Sequence, residues 1–157
     1  MIHKSARKVI IKRGIKATDY WSYCNEVGCD VWGLLKSIRS ISEEPVALWL
    51  PVQYRNPISN EYVQGAEVEM DYKGVIPDGF EVIELPKADY LLFRSDPYED
   101  EEYESAILDV KKVISEYDFH GNGYVIDENN PRIQLEPICT RGYIEMVPVI
   151  SKEFVNL

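Results

Sequence analysis

Apolar positions first gather in the β-branched run Val9, Ile10 and Ile11, inside Lys8–Lys12, and Arg13-Gly14 breaks it, which predicts a short strand. The period then changes. Val27, Val31, Leu34, Leu35, Ile38 and Ile41 recur at intervals of three and four, so they share one stripe of a helix from about Gly28 to Ser40. Pro45 ends that pattern, and Val46–Leu50 is a nearly continuous apolar segment, as expected of a strand covered on both faces. A polar connection with Asn56-Pro57 and Ser59-Asn60 leads to a strand over Tyr62–Met70. Beyond the turn Pro77-Asp78-Gly79, strands are predicted for Phe80–Leu85 and Tyr90–Arg94.

Asp96-Pro97 followed by Glu99 reads as a helix start: a capping carboxylate, proline in the first turn and an acid three residues after the cap. Tyr103, Ala106, Ile107, Val110, Val113, Ile114 and Tyr117 then hold one apolar face for about four turns. Asp118–Gly123 stops the helix, and Arg132–Ile138 and Tyr143–Val149 form two last strands joined by Cys139-Thr140-Arg141-Gly142. Strands grouped around two helices predict an α+β fold, two β-α-β-β units with helices packed on one face of a largely antiparallel sheet.

Size and charge narrow the function. A chain of 157 residues suits one domain with one core, and 45% hydrophobic with 28% charged residues is ordinary for a globular protein. The net charge of -10 repels phosphate backbones and anionic lipid, which argues against nucleic-acid or membrane partners. Between Lys4 and Lys16 six of thirteen positions are Lys or Arg, a pattern more typical of a solvated strand edge than of a nucleic-acid grip. No apolar run reaches the roughly 20 residues of a membrane span and the first residues do not open a signal peptide, so a cytoplasmic location is expected. Three cysteines, Cys24, Cys29 and Cys139, with only His3 and His120 beside them, predict reduced thiols and no metal site, and no cofactor motif is present.

Four stretches carry a family resemblance: Val31-Trp32-Gly33-Leu34-Leu35, Tyr62-Val63-Gln64-Gly65-Ala66-Glu67-Val68, Phe80-Glu81-Val82-Ile83-Glu84-Leu85-Pro86, and Tyr143-Ile144-Glu145-Met146-Val147-Pro148-Val149. In order and spacing, from about residue 8 to residue 149, they resemble the GyrI-like domain, also found as the effector-binding domain of AraC-type and MerR-type bacterial regulators. The resemblance implies two pseudo-symmetric halves with a ligand cleft between them. It implies ligands that are lipophilic and often cationic, and for some members hydrolysis of cyclopropane-bearing toxins. With only seven residues ahead of the first family strand, the helix-turn-helix reader of the regulators is expected to be missing.

Glu145 is the first candidate for the site. It shares a strand face with Tyr143 and Val147, and matches the acid of the family's terminal Glu-x-x-Pro pattern. From the residues alone, a solvent-facing glutamate on an edge strand fits as well. Glu136 resembles a second family acid, although with Gln134 it would equally suit a polar outer surface. Glu67 is expected, by pseudo-symmetry, to lie opposite Glu145. Trp32, Trp49, Tyr62, Tyr90, Phe93 and Tyr143 are core material first and candidate cleft walls second.

The function these imply is capture of a flat, lipophilic cation by a desolvated carboxylate and aromatic faces. A hydrolase using Glu145 and Tyr143 on a strained electrophile is the alternative. An acidic adaptor that binds a gyrase-type protein partner is the third reading.

Overall fold

A computed structural model describes residues 1–14, 16–28, 30–55 and 61–155, with the side chains of residues 154 and 155 left aside. Cys29 and the predicted connection Asn56–Asn60 lie outside the described residues. Strands β1 (Ile2–Lys4), β2 (Arg7–Arg13), β3 (Val46–Trp49), β4 (Tyr62–Val68), β5 (Glu81–Leu85), β6 (Ala88–Arg94), β8 (Arg132–Gln134) and β9 (Ile144–Ser151) form one antiparallel sheet. Their order is β1-β6-β9-β8-β3-β4-β2-β5, and β7 (Tyr124–Ile126) pairs with β9 beside that path. The order is palindromic about the β3/β8 seam. One half is β2, α1 (Tyr20–Val27), α2 (Val31–Lys36), β3 and β4; the other is β6, α3 (Tyr103–Glu116), β8 and β9. The α+β class and the repeated β-α-β-β plan therefore hold, in a curled sheet that forms a half-barrel.

Alternation along the strands divides the core in two. Val9, Ile11, Val46, Leu48, Val63, Tyr90, Ile133, Ile144 and Met146 point to one face and make an apolar cluster shared by both halves. Ala47, Tyr62 and Ala66 point to the other, where Tyr23, Val31 and Leu35 of α1 and α2 cover them. Tyr143, Val147 and Val149 share that second face beneath Ala106, Val110 and Ile114 of α3. Each such fully buried aliphatic side chain contributes roughly 1.5–3 kcal/mol. The close approach of β2 to β4 depends on Gly65, where a Cβ would meet the Ile10 carbonyl oxygen at 2.8 Å.

Three sequence expectations are corrected. The helix predicted over 28–40 is shortened to α2, Val31–Lys36, and a separate helix that the apolar spacing did not predict, α1, precedes it and ends at Gly28, at φ 94°. What starts α1 is Asp19, whose carboxylate accepts from the Ser22 amide at 2.9 Å while Ser22 Oγ accepts from the Asp19 amide at 3.3 Å. Asp96-Pro97 does not start α3. Around it the Ser95 amide donates to Tyr143 O and the Tyr98 amide to Cys139 O, so the segment runs alongside the β8–β9 connection; helical turns begin only at Asp100–Glu102, as a 3-10 turn. The strand predicted over 132–138 ends at Gln134, although the turn at 139–142 is closed as expected by pairing of Ile138 with Gly142.

Candidate functional site

Between the two sets of helices the sheet forms the floor of a hollow of about 520 Å³. α1 contributes Tyr20 and Trp21, α2 contributes Trp32, β4 contributes Tyr62, and the entry to α3 contributes Tyr98 and Tyr103. Six aromatic side chains thus surround it. Asp100 and Glu136 supply carboxylates, and Lys36 pairs with Glu136 at 3.3 Å with half of its own side chain exposed, a weak surface pair. The Asp100 carboxylate lies 2.8 Å from Cys139 Sγ, and that hydrogen bond holds the thiol above the usual cysteine range.

Among the described residues three lining groups are buried with no hydrogen-bond partner: the Trp32 indole N–H and the hydroxyls of Tyr62 and Tyr98. An unpaired buried donor costs about 1–3 kcal/mol. A bound molecule with an acceptor would recover that cost. At the mouth, Trp21 of α1 meets Tyr103 of α3 edge to face, and Tyr20 packs against Trp21 with centroids 5.2 Å apart.

Glu145 lies on the same sheet face, beside the hollow rather than in its lining, and it is wholly buried. Its Oε1 accepts from both Arg132 Nε, at 2.9 Å, and Arg132 Nη2. Its Oε2 accepts from Lys111 Nζ at 2.9 Å and from the Tyr143 hydroxyl at 2.5 Å. A carboxylate has about four acceptor positions, and all four are taken. The expected desolvated, uncompensated acid is therefore corrected: two cations of the chain itself already face it. In this arrangement Glu145 therefore has no acceptor position turned towards a water. Burial, and then the neighbouring Glu145 charge, push the Tyr143 hydroxyl far above the ordinary tyrosine range, which keeps it a proton donor to Glu145.

Trp49 connects this cluster to the hollow. Its ring meets Tyr62 edge to face with centroids 5.6 Å apart, its indole N–H donates to Thr18 O, and Lys111 Nζ sits 4.7 Å from its centroid.

Glu67 is not the partner of Glu145. In the sheet register Glu145 pairs with Gln134, Gln134 with Ala47, and Ala47 with Gln64, so the pseudo-symmetric counterpart of Glu145 is Gln64. Glu67 is three residues further on, an odd step that turns it to the opposite face. There it accepts from Arg7 Nε and Lys4 Nζ, both at 2.8 Å, and Arg7 in turn donates to the Tyr90 hydroxyl. Glu67 and Tyr90 thus belong to one buried network away from the hollow. Phe93 is also apart from it, packed against Tyr117 and Phe119 under α3. The structure brings Trp32, Tyr62 and Glu136 to the hollow and Glu145, Tyr143 and Trp49 to its flank.

Sequence reasoning missed Tyr20, Trp21, Tyr98, Tyr103 and Asp100. The first two lie on the unpredicted α1, which the Asp19…Ser22 spacing marks. Tyr103 opens the apolar stripe of α3, which hides its second role as a lining residue. No sequence signal marks Tyr98, whose place depends on the non-helical 95–99 segment. Among the described residues no group of three or more His, Cys, Asp or Glu side chains converges as a metal site would require, and no helix is long and apolar enough to cross a membrane.

No protein-family model and no curated protein sequence matches the chain. Solved structures do. The structure of SAV2435 bound to tetraphenylphosphonium is similar over 98% of this chain and 94% of its own, at a TM-score of 0.58 and 14% identity. A Staphylococcus aureus MU50 protein, described as one of bacterial transcription regulation, is similar over 94% of this chain and 95% of its own, at 0.54 and 15%. At these identities the likeness concerns architecture, and the chain has the fold of the GyrI-like effector-binding domains.

Proposed function

We propose that this GyrI-like fold binds lipophilic aromatic cations in the hollow between α1, α2 and α3. The observation that carries the reading is the six-aromatic lining combined with the carboxylates of Asp100 and Glu136. Ring faces attract a desolvated organic cation by about 0.5–2 kcal/mol each, and the low hydration of such an ion makes its transfer out of water inexpensive. The hollow's volume lies within the ordinary range for small-molecule sites, roughly 300–1,000 Å³. SAV2435, which shares the fold, has been solved with a cation of this class. Because charge and flatness do the selecting, the site accepts a class of compounds rather than one.

The charge that draws the cation is at the rim, on Asp100 and Glu136, rather than on Glu145 as the sequence suggests. Titration with tetraphenylphosphonium, followed by quenching of tryptophan emission, tests this. Saturable binding is expected. It should weaken several-fold in Trp32→Ala and in Asp100→Asn, and triphenylphosphine oxide, similar in bulk but uncharged, should bind less tightly. Absence of saturation with the cation, or equal affinity for the neutral compound, would exclude the reading.

A further inference from the structure

The flank of the hollow already contains a cation in contact with a carboxylate and an aromatic face: the ammonium of Lys111. We propose that Lys111 is a specificity-determining residue that fills, from within, the cation position between Glu145 and Trp49 at the flank of the hollow, and so limits how tightly the hollow holds positively charged guests. The inference rests on the cation-binding reading above and adds to it a residue that opposes binding.

Three observations carry it. Lys111 Nζ is 2.9 Å from Glu145 Oε2 and 4.7 Å from the centre of the Trp49 ring, the two contacts an organic cation would use there. Second, Lys111 is not needed to neutralise Glu145. Arg132 alone balances that charge through two hydrogen bonds to Oε1, and Tyr143 supplies a further donor, so Glu145, Arg132 and Lys111 together carry one positive charge in excess, which the Lys111 ammonium shares with the exposed Asp19 carboxylate it also attracts. A carboxylate with one cation in place is satisfied; a second adjacent cation repels any third. Third, the ammonium can leave. Glu145 is fully buried and Arg132 is fastened through its fork, whereas the Lys111 side chain is 41% exposed on a flexible four-carbon stem with water as the alternative partner.

Its position on α3 explains how it reaches both regions. Ile107 lines the hollow, and Lys111 follows one helical turn later on the same side of the helix. A guest whose charge stays near Asp100 and Glu136 therefore coexists with Lys111. A guest that carries its charge towards Glu145 must displace the ammonium or bear its repulsion. In the absence of Lys111 the Glu145–Arg132 pair has no net charge, and the Trp49 ring loses the ammonium while keeping the Arg132 guanidinium 5.6 Å from its centre.

The test compares tetraphenylphosphonium affinity, by tryptophan quenching, in the parent protein, Lys111→Met and Lys111→Arg, with thermal melting to verify folding. Methionine keeps the length of the stem and removes the charge; arginine keeps the charge. The expected result is an affinity about tenfold higher in Lys111→Met, as removal of one nearby unit charge predicts, with no such gain in Lys111→Arg. Saturable binding of equal affinity in the parent and Lys111→Met would overturn the role of Lys111 and leave the binding reading intact. An equal gain in both variants would also overturn it, since charge would not be the cause. No binding in the parent or in either variant would remove the binding reading and this inference together.

Discussion

Trp21 and Tyr103 meet across the mouth of the hollow with ring centroids 6.2 Å apart, the edge-to-face contact by which α1 of one half touches the entry to α3 of the other. More than half of the Trp21 surface faces solvent, so the contact adds little to the stability of the fold. Its effect is to cover whatever lies beneath.

Trp21→Ala should therefore act on ligand release more than on stability. An aromatic pair of this kind contributes about 0.5–1.5 kcal/mol, so dissociation of tetraphenylphosphonium should accelerate roughly two- to tenfold while the urea midpoint stays nearly unchanged. Stopped-flow displacement gives the rate. A large loss of stability with no change in release would assign Trp21 to the core instead.

Removing the Glu145 charge should cost stability. In Glu145→Gln, Arg132 and Lys111 lose their common carboxylate, and the Tyr143 hydroxyl keeps only an amide to bond. Breaking a buried pair commonly costs about 3–5 kcal/mol, and because both cations are partly exposed and can turn to water, about 1–3 kcal/mol is expected here. Urea unfolding measures it. A neutral or stabilising effect would mean that the four hydrogen bonds contribute no net free energy.

Alkaline pH should unfold the protein cooperatively. Burial pushes the hydroxyls of Tyr23, Tyr62, Tyr90 and Tyr143 above the ordinary tyrosine value of about 10. With the folded pKa raised, the unfolded chain releases these protons first. The stabilisation is complete below about pH 10 and declines as pH rises beyond it. Absorbance titration should reveal four tyrosines that ionise together with the loss of structure, not before it. Four hydroxyls that ionise near pH 10 with the fold intact would refute the assignment.

The parts of the molecule legible in sequence were those set by local period. The β-branched run at Val9–Ile11 marks β2, the continuous apolar segment from Val46 marks β3, and the apolar stripe of Ala106, Val110 and Ile114 marks α3. Alternation alone put Tyr143, Glu145 and Val147 on a common face, where the structure has them. What failed depended on partners distant in the chain. Asp96-Pro97 satisfies every local rule for a helix start, yet its segment is drawn into hydrogen bonds with residues more than forty positions later. The charge state around Glu145 was illegible for the same reason. Its partners lie 13 and 34 residues away on two different elements, and no spacing rule connects Lys111 to a strand it crosses only in three dimensions. The misplacement of Glu67 was an error of parity: a symmetry argument that misses the register by an odd number of residues selects the wrong side of the sheet.

The register that sets Gln64 where symmetry would put a second Glu145 gives the hollow a direction. Two halves built to one plan would offer a guest interchangeable ends, and it could enter either way round. Here one flank has an amide nitrogen without a partner and the other a carboxylate engaged by two cations and a tyrosine hydroxyl. On the proposed binding reading, an asymmetric guest would meet unlike flanks, and so a preferred orientation, on a scaffold whose strand order reads the same from either side.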